Sequence, residues 1–197
     1  MIGGHSCLDF TNTVGGLRGR QSVDTLSDYR DLIGWATRAR LIPKEVGRKL
    51  DDQATGNQRH AAARVFKRGI ALREALYRIF SARAKGQTAR SADLELFNKE
   101  LAEAMRHVRL VPGGKYFQWE LRSETSGIAL PLHAVVRDAA NLLTSERLAQ
   151  VRECGSETCG WLFVDTSRNH SRRWCEMSVC GNRVKQARFR RGSNRRH

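Results

Sequence analysis

Four cysteines near the C-terminus, Cys154, Cys159, Cys175 and Cys180, are spaced C-x4-C-x15-C-x4-C. Two close pairs of thiolates divided by a spacer can close a tetrahedral cage, because zinc takes four sulfur or nitrogen ligands and accepts them from two short knuckles. A metal-stapled fold around one zinc ion is therefore expected at this end of the chain. Four thiolates leave no open position for water, so the ion is structural and not catalytic. The rival readings are a reactive dithiol pair and another soft metal centre such as an iron–sulfur cluster. An odd count of five cysteines weakens a disulfide framework. His170 lies between the two pairs and could substitute as a ligand, but beside four thiolates it reads better as a surface or phosphate-contacting residue. Cys7 has no cysteine or histidine nearby except His5, and reads as a small buried hydrophobe.

Charge selects the partner. The chain carries a formal +15, which points to an anionic partner, and nucleic acid is the commonest one for a soluble protein. Residues 150–197 carry +7 and residues 1–149 carry +8, so charge density is nearly three times higher in the cysteine-bearing segment. The opening Met-Ile-Gly-Gly-His has neither a basic region nor an apolar run, and no stretch of 18 apolar residues occurs anywhere. A cytoplasmic protein without membrane spans is expected. The composition changes near residue 150, which predicts a domain over 1–149 and a second over 150–197.

The longer part reads as α+β, mostly helical with a small antiparallel sheet. Leu26, Tyr29, Leu32, Ile33 and Ala36 recur at helical spacing over 24–39, and Pro43 opens a further short helix. A longer helix over about 57–85 gathers Val65, Leu72, Leu76, Ile79 and Phe80 on one face, with its arginines and lysines solvated on the others. The next helix begins after Ser91 as N-cap and is expected to bury Leu94, Phe97, Leu101 and Met105. Residues 107–111 and 116–121 alternate in polarity across Pro112-Gly113-Gly114-Lys115, which predicts a hairpin with Phe117, Trp119 and Leu121 facing the core. Residues 131–143 return to helix, burying Leu132, Val135, Ala139 and Leu142.

Beyond residue 150, Cys154 to Gly160 reads as a metal knuckle and 161–165 as a strand. A helix starting at Cys180 would turn Val184 and Ala187 toward the metal, and Asn182, Lys185, Gln186 and Phe189 away from it. That outward face mixes amide, cation and aromatic groups able to meet base edges or phosphates. Arg168, Arg172, Arg173, Arg183 and Arg188 flank it, so the expected DNA-binding set is these five with Asn182, Lys185 and Gln186. Arg173 or Arg183 could equally pair with Asp165. Trp161 and Trp174 read as packing for a small core, and the arginines of 190–197 as an unstructured basic arm.

The run CGWLFVDTSRN at 159–169, then SRRWC at 171–175 and CGNRVK at 180–185, resembles the CGNR zinc-finger family. At the other end, Gly3-Gly4 and CLDFTNT at 7–13 are similar to the opening of the ABATE domain that usually precedes this finger. The resemblance implies a treble-clef-like, four-cysteine finger that binds DNA, an N-terminal sensor or ligand-binding domain, and membership among bacterial stress-induced transcription regulators. It does not imply the ligand.

Asp9, Asn12 and Thr13 form a compact polar set beside Leu8 and Phe10. Asp9 and Asn12 are candidate contacts for a small-molecule ligand; a capping or turn network is the structural alternative. No serine–histidine–aspartate grouping, glycine-rich phosphate loop or paired carboxylates can be read, so an enzyme is not expected. The leading expectation is a zinc-dependent, DNA-binding transcriptional regulator responding to stress or a small molecule. The alternatives are an RNA-binding zinc protein and a redox sensor acting through its zinc thiolates. One finger offers little base-reading surface, so specificity would call for a homodimer placing two fingers on adjacent half-sites.

Overall fold

The computed structural model describes residues 2–193; of the side chains in that range, those of Gln21, Arg188 and residues 190–193 are not described. The side chain of Arg188 and residues 194–197 of the basic arm named above therefore lie outside the description, while residues 190–193, expected to be unstructured, continue α8.

The chain runs α1 (Ser6–Thr11), β1 (Val14–Leu17), β2 (Arg20–Asp24), α2 (Tyr29–Arg38), α3 (Lys44–Thr55), α4 (Arg59–Ala84), α5 (Ser91–Met105), β3 (Val108–Gly113), β4 (Tyr116–Leu121), a single turn α6 (Ser123–Ser126), α7 (Leu130–Leu143), β5 (Val151–Glu153), β6 (Leu162–Val164) and α8 (Asn182–Ser193). The strands form three separate antiparallel pairs, β1–β2, β3–β4 and β5–β6. The fold is thus mainly helical with small antiparallel sheets. The pairs β1–β2 and β5–β6 as units escape sequence reading, because glycines at 15, 16 and 19 and strands of three residues leave too little alternation to detect.

Helix α4 is the axis of the molecule. Val65, Leu72, Leu76, Ile79 and Phe80 are all buried, as their spacing predicts, and α1, α2, α3, α5, α7, β5 and β6 pack against it. The predicted stripe of α7, Leu132, Val135, Ala139 and Leu142, is wholly buried. Helix α2 starts later than residue 24 because Asp28 caps it: its side chain accepts from Asp31 N at 2.9 Å, while Asp31 accepts from Ser27 N at 2.8 Å. This reciprocal pair satisfies two amides that the first turn leaves open.

Polar side chains also fix how helices meet. Arg68 pairs with Glu100 and Arg78 with Asp93, joining α4 to α5. These pairs correct the predicted face of α5. The helix turns Asp93, Phe97, Glu100 and Ala104 inward and leaves Leu94 and Met105 exposed. Ser91 is its first residue and not its N-cap, a position held by Arg90. Arg73, expected among the solvated cations of α4, is 2 % exposed and bonds both oxygens of Asp24 at the end of β2.

The β3–β4 hairpin forms where the alternation predicts it, but the ladder runs on through Pro112 and Gly113, with Leu110 opposite Trp119 and Gly113 opposite Tyr116, so the turn is Gly114-Lys115 and not the expected 112–115. Its orientation differs from expectation: Phe117 is 75 % and Trp119 56 % exposed, and Tyr116 and Leu110 are exposed as well. Val108, Val111, Glu120 and Leu121 are partly buried, and no residue of the two strands is fully buried. Alternation distinguishes two faces of a ribbon, but a core must still reach one of them.

The C-terminal segment is built into the helical core. Val151, Leu162 and Val164 belong to the same apolar cluster as α1, α2, α4 and α7. Phe163, between two of them, belongs to a second small cluster with the four cysteines, flanked by Ile2, Trp161 and Trp174. The two-residue period of a strand thus lets β6 serve two cores, one from each face.

Candidate metal centre and nucleic-acid interface

Cys154 follows β5, and its amide donates to Trp161 O at 2.8 Å, which closes the first knuckle across the β5–β6 pair. Cys159 N turns back to Ser156 O at 3.0 Å, bringing the second sulfur beside the first. The chain then crosses β6 and enters a loop organised by Asp165. This buried carboxylate accepts from Ser167 N and Oγ through one oxygen and from Arg172 N through the other. Burial works against its charge, but those donors outweigh it and hold its pKa below the usual carboxylate range. The loop delivers Cys175, whose amide donates to Cys154 Sγ at 3.4 Å. A π-turn, Met177–Gly181, carries Cys180 into the group. At its last position Gly181 leaves room for the Met177 thioether, which would have to move aside for any side chain there.

The four sulfurs lie within 4.8 Å of one another, and all four cysteines are buried. Cys159 and Cys175 are 3.8 Å apart, Cys175 and Cys180 3.6 Å. Both values are far above a disulfide's about 2.05 Å. They match the edge of a tetrahedron with zinc–sulfur bonds of about 2.3 Å, which is about 3.8 Å. Hydrogen bonds from the Cys159 and Cys175 thiols hold Cys154 well below an ordinary thiol pKa, and the same contacts raise Cys159 and Cys175. The group therefore favours at least one anionic sulfur, as a cation site does. The donor set and its spacing fit a tetrahedral soft-metal ion. His170 takes no part: it is exposed, with φ 47°, and its Nδ1 lies 3.1 Å from Asp165 O.

The cationic residues around the cluster divide into two groups. Arg172 turns inward. Its guanidinium donates to Trp174 O at 2.9 Å and to Cys175 O, and lies 4.5 Å from the centre of the Phe163 ring. Expected as a phosphate contact, this side chain instead clamps the loop that carries Cys175. Arg168, Arg173, Asn182, Arg183, Lys185 and Gln186 are exposed. Neither Arg173 nor Arg183 pairs with Asp165: the first lies 5.8 Å from the Trp174 ring centre, and the second donates to Thr158 Oγ1 at 2.9 Å. Asn182 donates to Ser178 O at 3.0 Å, which ties the start of α8 to the π-turn. Helix α8 begins two residues after Cys180, with Val184 half-buried and Lys185, Gln186 and Phe189 outward, as its periodicity implies; Ala187 is also exposed. Between the first knuckle and α8 lies an open cleft of about 320 Å³ bordered by Ser156, Thr158, Arg173, Arg183 and Val184. Trp161 packs on the cysteine cluster and donates to Val14 O at 3.0 Å.

In the N-terminal part, Asn12 donates to Leu162 O at 2.8 Å and accepts from Leu162 N at 2.9 Å. It serves as a side-chain rung for β6. Asp9 accepts from the Ile2 and Gly3 amides, both at 2.9 Å, folding residues 2–5 over the start of α1. Burial first, offset in part by these donors, raises its pKa. Asp9 makes the local turn network of the structural alternative, whereas the bonds of Asn12 are long-range and belong to neither expectation. Gly3 has no room for a side chain, since a Cβ would come within 2.9 Å of Leu8 Cβ. Sequence reading missed Arg172 and Phe163 as supports of the cluster, and the only signal was their adjacency to its ligands.

No described helix is long and apolar enough to cross a membrane. Two family models match the chain. The ABATE model, described as "Putative stress-induced transcription regulator", covers residues 4–146, and the CGNR zinc-finger model covers residues 150–192. Both are regulator or zinc-finger types and neither is an enzyme family. No curated protein matches the chain.

Proposed function

The chain belongs to the ABATE family and carries a CGNR zinc finger, and from that premise we propose that it is a zinc-dependent, DNA-binding transcriptional regulator acting in the cytoplasm. Its division is into a sensing part, 1–149, and a finger, 150–197. Cys154, Cys159, Cys175 and Cys180 hold one zinc ion, which supplies a structural cross-link and no reaction chemistry.

The observation that carries the reading is the start of α8. Its first turns present Asn182, Arg183, Lys185 and Gln186 to solvent, directly after a cysteine of the cluster. A helix fixed at its N-terminal end by a metal cage, with amide and cationic groups outward, suits insertion into the major groove. Arg173 and Arg183 border the cleft beside it and suit a phosphate of the flanking backbone. Arg168 extends the same charged surface, Arg188 belongs to the set by sequence, and Arg172 acts by holding the loop. A homodimer would supply the second half-site.

The test is binding of zinc-loaded protein to duplex DNA from a random pool, followed over a salt series. Binding should weaken linearly in log salt, because each neutralised phosphate releases counterions. An absence of measurable affinity at about 50 mM salt would refute the proposal. A preference for single-stranded or structured RNA in competition would move the assignment to RNA.

A further inference from the structure

Away from the four-cysteine cluster, three side chains of different chemistry converge at the start of α1. His5 Nδ1 lies 2.8 Å from Asp138 Oδ2 of α7 and 3.4 Å from Cys7 Sγ. The three donor atoms all lie within 4.8 Å of one another. Cys7 is completely buried, while the side chains of His5 and Asp138 retain 16 % and 20 % exposure.

Asp138 is the shared acceptor here, reached by both the Cys7 thiol and His5 Nδ1. The ring nitrogen also lies against Cys7 Sγ, so a nitrogen, a sulfur and an oxygen face one another at a single place. Asp138 Oδ2 also receives Cys7 N at 2.7 Å, so the carboxylate is fixed in place by the backbone of the helix that presents the thiol. Asp9, also on α1, adds a second carboxylate that feels Asp138 electrostatically, and its Oδ2 is buried with no hydrogen-bond partner among the described residues.

We propose that His5, Cys7 and Asp138 form a second metal site, taking a divalent transition ion of the zinc or cobalt class and separate from the structural site. One ion between the three atoms can be bound by all of them at once. In a tetrahedral zinc site the sulfur–nitrogen edge is about 3.5 Å and the nitrogen–oxygen edge about 3.4 Å. The first is close to the 3.4 Å present, and the second needs His5 and Asp138 to part by about 0.6 Å from their 2.8 Å. A sulfur, an imidazole and a carboxylate together select zinc-like ions over magnesium or calcium, which take oxygen ligands. Three protein ligands facing partly open space leave a fourth position for water, the arrangement of an exchangeable ion.

The location gives such an ion a route to the finger. Residues 2–5 are the strip that pairs with β6, where Val164 donates to Gly3 O at 2.8 Å, and Gly4 sits against Val164. On the regulator reading above, which the site itself does not require, the signal sensed by the N-terminal part is a transition-metal ion.

The experiment is titration of cobalt(II) into the full-length protein already carrying one equivalent of zinc. A second equivalent should bind, with a sulfur-to-cobalt charge-transfer band in the near ultraviolet and visible ligand-field bands. Cys7→Ser should remove the charge-transfer band, and Asp138→Asn should weaken binding roughly tenfold or more while the far-ultraviolet circular dichroism stays that of the parent. Cys159→Ser should leave the second site's spectrum intact, which separates this proposal from the finger. Saturation without any added equivalent, or an added equivalent unchanged in both Cys7→Ser and Asp138→Asn, would overturn it.

Discussion

At the scale of single residues, neighbouring arginines in the same basic segment do different work, and the difference is measurable. Arg172→Ala removes charged hydrogen bonds to two carbonyls of the loop that presents Cys175, each worth about 1.5–3 kcal/mol. It should weaken zinc retention against a chelator and lower the midpoint of thermal unfolding, while DNA bound by the folded fraction keeps its salt slope. Lys185→Ala should do the reverse: leave zinc and stability unchanged and reduce the salt slope by about one unit. A chelator competition paired with a salt series reads both. A buried histidine supplies a third prediction. His133 is 1 % exposed, both ring nitrogens lack partners among the described residues, and the ring stacks on His107 at 4.9 Å. Burial, then His107 and Arg68, push its pKa down to about 4, against the pull of Glu103 and Glu100. The unfolded chain takes up this proton near pH 6.5 and the native chain only near 4, so stability is complete above pH 6.5 and falls as pH drops through that window. The loss is about 2 kcal/mol by pH 5. His133→Phe should flatten that part of the urea-midpoint profile between pH 7 and 5; an unchanged profile would show that His133 is not the titrating group.

Among the secondary-structure elements, legibility tracks how each element meets its neighbours. The apolar stripes of α4 and α7 could be read because those residues lie against apolar neighbours, so periodicity marks them; the buried polar Arg73 of α4 and His133 of α7 escaped the same reading. Helix α5 could not, because Asp93 and Glu100 face inward to meet Arg78 and Arg68, and a polarity scale counts carboxylates as outward. The β3–β4 hairpin shows the opposite failure: its two strands can be located from the alternation, but no core covers the ribbon. Trp119→Ser should therefore change stability by no more than about 0.5 kcal/mol. Strand β6 is the counter-case. Phe163 is completely buried against the cysteines, with Leu162 and Val164 buried on the other face. Phe163→Ala should cost about 3–5 kcal/mol and lower zinc affinity together, read by denaturant unfolding with and without a chelator. Loss of stability with zinc affinity intact would mean that the aromatic ring supports only the helical core.

Over the whole molecule, the question is whether the finger is an appendage or a part of the fold. Sequence composition changes near residue 150 and suggests two units, because it registers cysteine and arginine density but not the side chains that cross the divide. Asn12 holds both the amide and the carbonyl of Leu162, Trp161 donates to Val14 O, and Tyr77 and Ser81 of α4 bond Glu153. These links lie on the β5–β6 pair, whereas Cys175 and Cys180 lie beyond it. A metal ion bound by the four cysteines would therefore secure mainly the loop, the π-turn and α8, and the strand pair would be secured twice, by the ion and by the helical core. Cys159→Ser, or exhaustive chelation, should release the ion and abolish DNA binding while the helical core stays folded at a lower melting temperature. A shift of several degrees follows if only about 1–2 kcal/mol of the core's stability depends on β6 being held from its Phe163 side. Thermal melts of the zinc-loaded and chelated protein by far-ultraviolet circular dichroism measure this directly. An identical midpoint would make the finger energetically independent of the core, and complete unfolding on chelation would make the two a single cooperative unit. The intermediate result is what communication needs: a strand stable without the metal, yet sensitive to what holds it on either side.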